Sequence, residues 1–369
     1  NNDNVFDLDP DIIHLNHAAV APWPLKTVQA VQAFAAENGR RGSVRYMQWV
    51  ALETELRQRL ATLINAPSTD EIALLKSTSV GGAVIAYGLD WQARENIVIS
   101  AVEIPPNRMG WDSLKPVGVE VRQVDLSAKQ KPEQALIDGF DSRTRLLSIS
   151  SVQYASGLRL QLEVLGQACQ QHGVLFCVDA IQHIGGLGFD AQAAGADFVV
   201  ADGHKWMLGP EGLALFYCRK ALIPRLKLHQ YGWHMLEDLD FDHMDNWTAA
   251  ASARRFECGS PNMSGIHALH ASIGVLLEVG MGVIEQGVLD NVQYLINAFS
   301  ANESVEILSE TRANRFAGIF TFRKKALKTP IYMSFLSLKG FCAHLAVVAY
   351  VFHLTFIPAK TSCSVSLIM

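Results

Sequence analysis

Two side chains at the ends of neighbouring apolar runs carry the most chemistry in this sequence. The run Leu175-Phe-Cys-Val ends in Asp179, and Phe198-Val-Val-Ala-Asp202 leads through Gly203 and His204 to Lys205. A lysine amine can add to a carbonyl to form a Schiff base. A carboxylate beside a pyridine nitrogen keeps it protonated, so that the ring can accept the electrons of a substrate carbanion. Lys205 and Asp179 therefore fit the needs of pyridoxal phosphate. Each also has an ordinary reading, since an Asp at a strand end is commonly a cap and an isolated Lys is commonly solvated. The pair, on adjacent strand ends, is what points to the cofactor.

These residues need short buried strands to hold them. Leu175–Val178, Phe198–Ala201 and Leu213–Phe216 are apolar runs bounded by Gly or polar clusters, and Ile72–Leu75, Asn96–Ser100 and Arg145–Ser150 read the same way. Leu162–His172 reads as a helix closed by Gly173. From Leu25 to about Ile64 apolar residues recur at intervals of three and four, which predicts two helices around the basic loop Gly39–Tyr46. That loop is either solvated or meets a phosphate, a substrate carboxylate or a partner subunit. Ile12–Pro22 predicts a short strand running into a turn.

Alternating strands and helices predict an α/β protein: three layers, with a mainly parallel sheet and helices on both faces. Such sheets place chemistry at the C-terminal ends of their strands. The expected organisation is an N-terminal arm (1–24), a large cofactor-binding domain (25–262) and a smaller α+β C-terminal domain (263–369).

Lys76-Ser77-Thr78-Ser79-Val80-Gly81-Gly82 follows the Ile72–Leu75 strand and opens a helix. Backbone N–H groups at a helix N-terminus favour an anion, so Thr78 and Ser79 could cradle a phosphate; small hydroxyl residues also serve there as plain N-caps.

Composition bounds the alternatives. The 369 residues are 49% hydrophobic and 18% charged with a net charge of −5, which argues for a soluble protein and against nucleic acid as the main partner. The six cysteines are dispersed without a C-x-x-C pair, so buried thiols in a reducing compartment are expected, with no metal site. The first residues lack the charged and apolar regions of a signal peptide, which favours the cytoplasm, although there is no initiator Met.

Val178-Asp179-Ala180-Ile181-Gln182, Asp202-Gly203-His204-Lys205-Trp206, Gly209-Pro210-Glu211-Gly212 and Arg255-Phe256-Glu257-Cys258-Gly259-Ser260-Pro261-Asn262 occur in the order that resembles the class V aminotransferase and cysteine desulfurase family. The resemblance runs from about Ile13 to Phe322. It implies a fold-type I enzyme in which Lys205 binds pyridoxal 5'-phosphate, Asp179 holds the ring nitrogen's proton and Gln182 lies beside the ring hydroxyl. It places His204, Thr78 and Ser79 at the phosphate, and Gln153, with Tyr154 as the neighbouring choice, toward the substrate or the ring hydroxyl. Asn16 and His17 match a segment that enters the substrate pocket. Ser260 matches a hydroxyl that reaches the phosphate of a second chain, implying a homodimer with shared sites and a small-molecule amino acid as substrate.

The chain also departs from the family. Ile104, or a neighbour if the match is shifted, stands where relatives carry an aromatic or histidine over the ring, a departure that argues against the histidine-stacked desulfurase subgroup, and Asp202 stands where they often carry a phosphate-binding Ser or Thr. The expected function is a class V aminotransferase, with a cysteine desulfurase, lyase or epimerase of the same family as the alternative. A cofactor-binding protein with impaired catalysis is the further reading.

No residue after Glu310 is Asp or Glu. Phe341–Pro358 is nearly all apolar, which reads as a buried strand and helix pair or as a membrane span interrupted by His344 and His353, the span being disfavoured. A third reading is a lost frame near 323–326. Back-translated with permitted codons and read two bases later, Leu345–Pro358 becomes Arg-Gly-Gly-Gly-Ile-Arg-Phe-Ser-Pro-His-Phe-Tyr-Thr. That string is similar to the family's C-terminal segment, whose arginine grips the substrate carboxylate. In the written frame that arginine has no counterpart, and Cys342 is the only thiol in the region where a desulfurase carries its nucleophile.

Overall fold

A computed structural model describes residues 5–12, 14–126, 131–238, 245–325, 331–334, 348–349 and 352–353. Helices α1 (Leu25–Arg41) and α2 (Tyr46–Leu63) lead into β1 (Ile72–Leu75), α3 (Thr78–Gly88), β2 (Asn96–Ser100) and α4 (Pro105–Asp112). Next come β3 (Glu120–Val124), α5 (Pro132–Asp138), β4 (Thr144–Ser150), α6 (Leu162–His172), β5 (Leu175–Asp179), β6 (Phe198–Asp202) and β7 (Ala214–Cys218). These strands form one seven-stranded sheet in the order β1-β7-β6-β5-β4-β2-β3. Only β7 runs against the rest.

The strands at the centre are apolar on both sides because both sides are covered. Val178 and Val199 join the core on one face, and Cys177, Phe198 and Val200 the core on the other. Phe176, Phe198 and Phe216 are fully buried, each worth about 1.5–3 kcal/mol relative to exposure. Helix α6 stops where Gly173 takes φ 67°, a left-handed conformation that spares glycine the clash a side chain would meet.

Helices α7 (Met263–Val279) and α8 (Met281–Ser300) follow the large sheet. A second, antiparallel sheet combines β8 (Val305–Ile307), β9 (Ile319–Lys324), β10 (Ile331–Ser334), β11 (Val348–Ala349) and β12 (Phe352–His353) in the order β12-β11-β10-β9-β8. α7 packs on α1 and α2, where Thr27 and Ser272 share a buried hydroxyl hydrogen bond of 2.7 Å. Among the described residues no single helix is long and apolar enough to cross a membrane. Cys342 and all of 341–358 except Val348–Ala349 and Phe352–His353 lie outside the described residues, and with them most of the slipped-frame segment.

The N-terminal segment corrects one expectation, because its described residues form no strand. Its backbone groups are satisfied by a turn, Ala19 N–H to Asn16 O at 3.1 Å, and by the Lys205 loop, Ala21 N–H to His204 O at 2.9 Å, so no sheet partner is required. Leu15 is anchored instead in the apolar cluster of α8 and β9.

Beneath the segment that carries Ser260 lies a buried charge cluster. The Arg57 guanidinium donates to Glu257 Oε1 (2.5 Å) and Oε2 (2.8 Å), to Ile72 O (3.0 Å) and to Glu53. Leu74 N–H adds a bond to Glu257 at 2.7 Å, and His234 lies 3.4 Å from each carboxylate. The guanidinium occupies the place between the two acids that a cation would otherwise take.

Candidate active site

β5 and β6 pair in parallel with Asp179 opposite Val200, so both strands open at one edge of the sheet. Lys205 lies in the loop after β6, and three backbone bonds pin that loop. Gly203 N–H reaches Leu213 O at 2.9 Å, Gly209 N–H reaches Gly203 O at 2.7 Å, and Leu208 N–H reaches Lys205 O at 3.0 Å. Leu208 is held at φ 59° and fully buried, a left-handed conformation that strains a leucine and persists because its surroundings fix it.

Lys205 is buried. Burial lowers its pKa, against the pull of the Asp179 and Asp202 carboxylates, and so favours the uncharged, nucleophilic amine. Asp179 is buried too, with Oδ1 accepting from Ile181 N–H at 2.9 Å and Oδ2 from the Asn107 amide at 2.6 Å. Burial raises its pKa and these two bonds oppose the rise, so a cationic ring nitrogen would complete its charge balance.

Gln153 is buried and linked to Asp179 through Glu103 and Asn107, its amide nitrogen on Glu103 Oε1 at 3.2 Å and its Oε1 with no hydrogen-bond partner. Tyr154 is half-buried beside it. A buried amine free to add to a carbonyl, a carboxylate suited to a pyridinium and a buried amide oxygen lacking a donor together fit pyridoxal phosphate.

Other expected residues are placed differently. Gln182 spends its amide structurally, donating to Ala18 O at 3.1 Å and accepting Trp206 Nε1–H at 2.9 Å. His17 stacks on Trp206 with ring centroids 5.8 Å apart, and its pKa is pushed down to about 3 by burial and by His14. Asn16 is half-buried and supplies the turn carbonyl. His204 is half-buried, its pKa lowered by burial and by the charge of Lys205.

At the start of α3, Ser77 caps the helix by accepting Val80 N–H at 3.3 Å. Thr78 is buried and its backbone N–H goes to Asp202 Oδ1 at 3.1 Å, while Ser79 is exposed. The Thr78 N–H expected at a phosphate thus has a protein acceptor. Ser260 is exposed and its hydroxyl accepts Trp233 Nε1–H at 3.3 Å; it lines an open cleft of about 540 Å³ with Lys76 and Val80.

Sequence reasoning missed Glu103 and Asn107, which touch Asp179, Gln153 and Ser150. Both follow β2 at the edge where Asp179 emerges. The available signal was an acid and an amide in one turn at the end of a buried strand, but that segment was read for its ring-stacking position at Ile104.

The chain matches the family described as aminotransferase class-V over residues 13–345. It is 28% identical over 317 residues to a probable cysteine desulfurase of Methanothermobacter thermautotrophicus, covering 85% of this chain and 78% of that protein. With a cysteine desulfurase of Klebsiella pneumoniae subsp. pneumoniae it shares 29% over 300 residues, 79% of this chain and 73% of the other. Among solved structures, the apo cysteine desulfurase from Thermococcus onnurineus NA1 superposes with a TM-score of 0.74 at 23% identity, covering 86% of this chain and 80% of that one. The cystine C–S lyase C-DES, in complex with its product cysteine persulfide, gives 0.80 at 20% identity over 85% and 84%.

Proposed function

The chain belongs to the aminotransferase class-V family, and from that premise we propose that it is a pyridoxal-phosphate enzyme that cleaves the carbon–sulfur bond of a cysteine-type amino acid. The observation that carries the reading is the buried Lys205 amine held beside the buried Asp179 carboxylate. The choice of C–S cleavage over the transamination first expected rests on the relatives, which are named cysteine desulfurase and C–S lyase.

The cofactor supplies, when bound, a carbonyl for the amine and an electron sink for the substrate carbanion. Lys205 takes and returns the proton at the substrate Cα, for which a lowered pKa suits it. Asp179 holds the proton of the ring nitrogen through a charge-assisted bond. Gln153 Oε1 would accept from the ring hydroxyl, and the start of α3, beyond the Thr78 N–H given to Asp202, would with His204 receive the phosphate. Ser260 of a second copy completes that phosphate site, so the working form is a homodimer.

The sulfur acceptor separates two versions. Cys169 and Cys177 are buried and their thiols are pushed up to about 12, and Cys218 is pushed up as well, all chiefly by burial; they are poor nucleophiles. A desulfurase would need one of the remaining thiols, Cys258, Cys342 or Cys363, whereas a lyase needs no thiol of its own.

The purified protein, loaded with pyridoxal phosphate, should be offered L-cysteine and L-cystine. Alanine with protein-bound sulfur marks the desulfurase, and pyruvate with ammonia and free sulfide or persulfide marks the lyase. Lys205→Ala should abolish either. Amino-group transfer to a keto acid without sulfur release would overturn the reading.

A further inference from the structure

Glu103 is a second buried carboxyl beneath the site. It lies in the turn between β2 and α4. Its Oε1 accepts Ser150 N–H at 2.9 Å and the Gln153 amide at 3.2 Å, and its Oε2 meets the Ser150 hydroxyl at 2.5 Å and the Asn107 amide at 3.4 Å. The same Asn107 nitrogen donates to Asp179 Oδ2 at 2.6 Å. Ser150 is the register partner of Asp179 across β4 and β5, so the whole group is mounted on paired strand ends.

Three of the four groups on Glu103 are N–H donors, which cannot accept. As a carboxylate, Glu103 can only accept, and so favours the orientation in which both amides turn their nitrogens toward it. Asn107 must turn its nitrogen inward, where its second N–H meets Asp179. Gln153 must do the same, which leaves Gln153 Oε1 as the orphaned acceptor.

We propose that Glu103 is a positioning residue of the Lys205 site, which sets the polarity of the Asn107 and Gln153 amides and through them the two hydrogen bonds offered to the cofactor ring. This rests on the functional reading above. Burial and the nearby Asp179 charge push the Glu103 pKa up, against the bonds from Ser150 and Gln153.

The test compares wild type, Glu103→Gln and Glu103→Ala by their affinity for pyridoxal phosphate and by the visible absorption of the bound cofactor. Glu103→Gln keeps one acceptor for Ser150 N–H and Gln153 but sets its own amide nitrogen against that of Asn107, so Gln153 stays oriented while Asn107 turns, and its absorption maximum should move less than that of Glu103→Ala. Glu103→Ala frees both amides to rotate; the maximum should move and affinity should fall about tenfold, the loss of one hydrogen bond to a charged group. If Glu103→Ala does not fold, Asn107→Ala carries the test, with a similar loss of affinity expected. Wild-type spectrum and affinity in whichever of these two variants is measured would overturn the inference alone. A wild type that takes up no cofactor would overturn the functional reading and the inference with it.

Discussion

The backbone N–H of Thr78 donates to Asp202 Oδ1 over 3.1 Å, so the first turn of α3 already carries an anion supplied by β6. Helix N-termini stabilise negative charge, and here the protein itself meets part of that demand. The arrangement has a cost, because Asp202 is mostly buried and close to Asp179. Burial first, then the Asp179 charge, raise the Asp202 pKa to about 6, against the bonds from Thr78 and the charge of Lys205.

A carboxyl whose folded pKa lies above its unfolded value, near 3.9, favours the folded state below that unfolded value. The contribution is lost as pH rises through about 6. Asp202→Asn keeps an oxygen for Thr78 N–H and removes the titration. Its melting temperature relative to wild type should therefore climb between about pH 4 and pH 6, most steeply near the midpoint of the two pKa values at about pH 5, and level off above about pH 7. A difference that stays flat across that range would remove Asp202 from the account.

Trp206 is wedged between two glycines. A Cβ on Gly318 would lie 2.4 Å from the Trp206 ring, and one on Gly186 would lie 2.7 Å from it. The ring is fully buried, stacked on His17 and held by Gln182, so it has little room to yield. Gly318→Ala should cost roughly 1–3 kcal/mol by overpacking. Because Thr321 on β9 also donates to Ala155 O at 2.6 Å, in the segment that carries Gln153, cofactor affinity should fall in step with stability. Urea unfolding and cofactor titration measure both.

The Arg57 cluster invites a test of non-additivity. Arg57→Leu leaves Glu53 and Glu257 buried without their guanidinium, and breaking a buried pair in this way costs about 3–5 kcal/mol. Adding Glu53→Gln and Glu257→Gln removes the stranded charges. The triple variant should therefore unfold at a higher urea concentration than the single one, contrary to simple addition. A triple variant less stable than Arg57→Leu would show that hydrogen bonding, and not charge, dominates there.

The same physics decides what was legible in the sequence. Asp179 and Lys205 stand out because β5 and β6 bury both faces, so each polar residue that ends an apolar run is conspicuous. Strand β3, with Glu120 and Gln123 exposed at the sheet edge, has no such contrast and passed unread. Ile12–Pro22 misled because an apolar pair before a turn resembles a strand, whereas the partner of its backbone proved to be the Lys205 loop. Glu103 and Asn107 were missed for a different reason. Their partners, Ser150 and Asp179, lie 47 and 72 residues away, and hydrogen bonds of that range leave no local periodicity.

Gln182 offers the last separation, between a ring contact and a structural brace. Its amide joins Trp206 Nε1 at 2.9 Å to Ala18 O at 3.1 Å and so ties the Lys205 loop to the N-terminal turn that carries His17. Gln182→Leu is close in size and would leave the buried indole N–H without an acceptor, which costs about 1–3 kcal/mol. Gln182→Glu keeps the acceptor for Trp206 but loses the donor to Ala18. If bracing is the main role, Leu should lower the melting temperature more than Glu, and neither should move the absorption maximum of the bound cofactor. A spectral shift in Gln182→Leu with unchanged melting would return Gln182 to the ring.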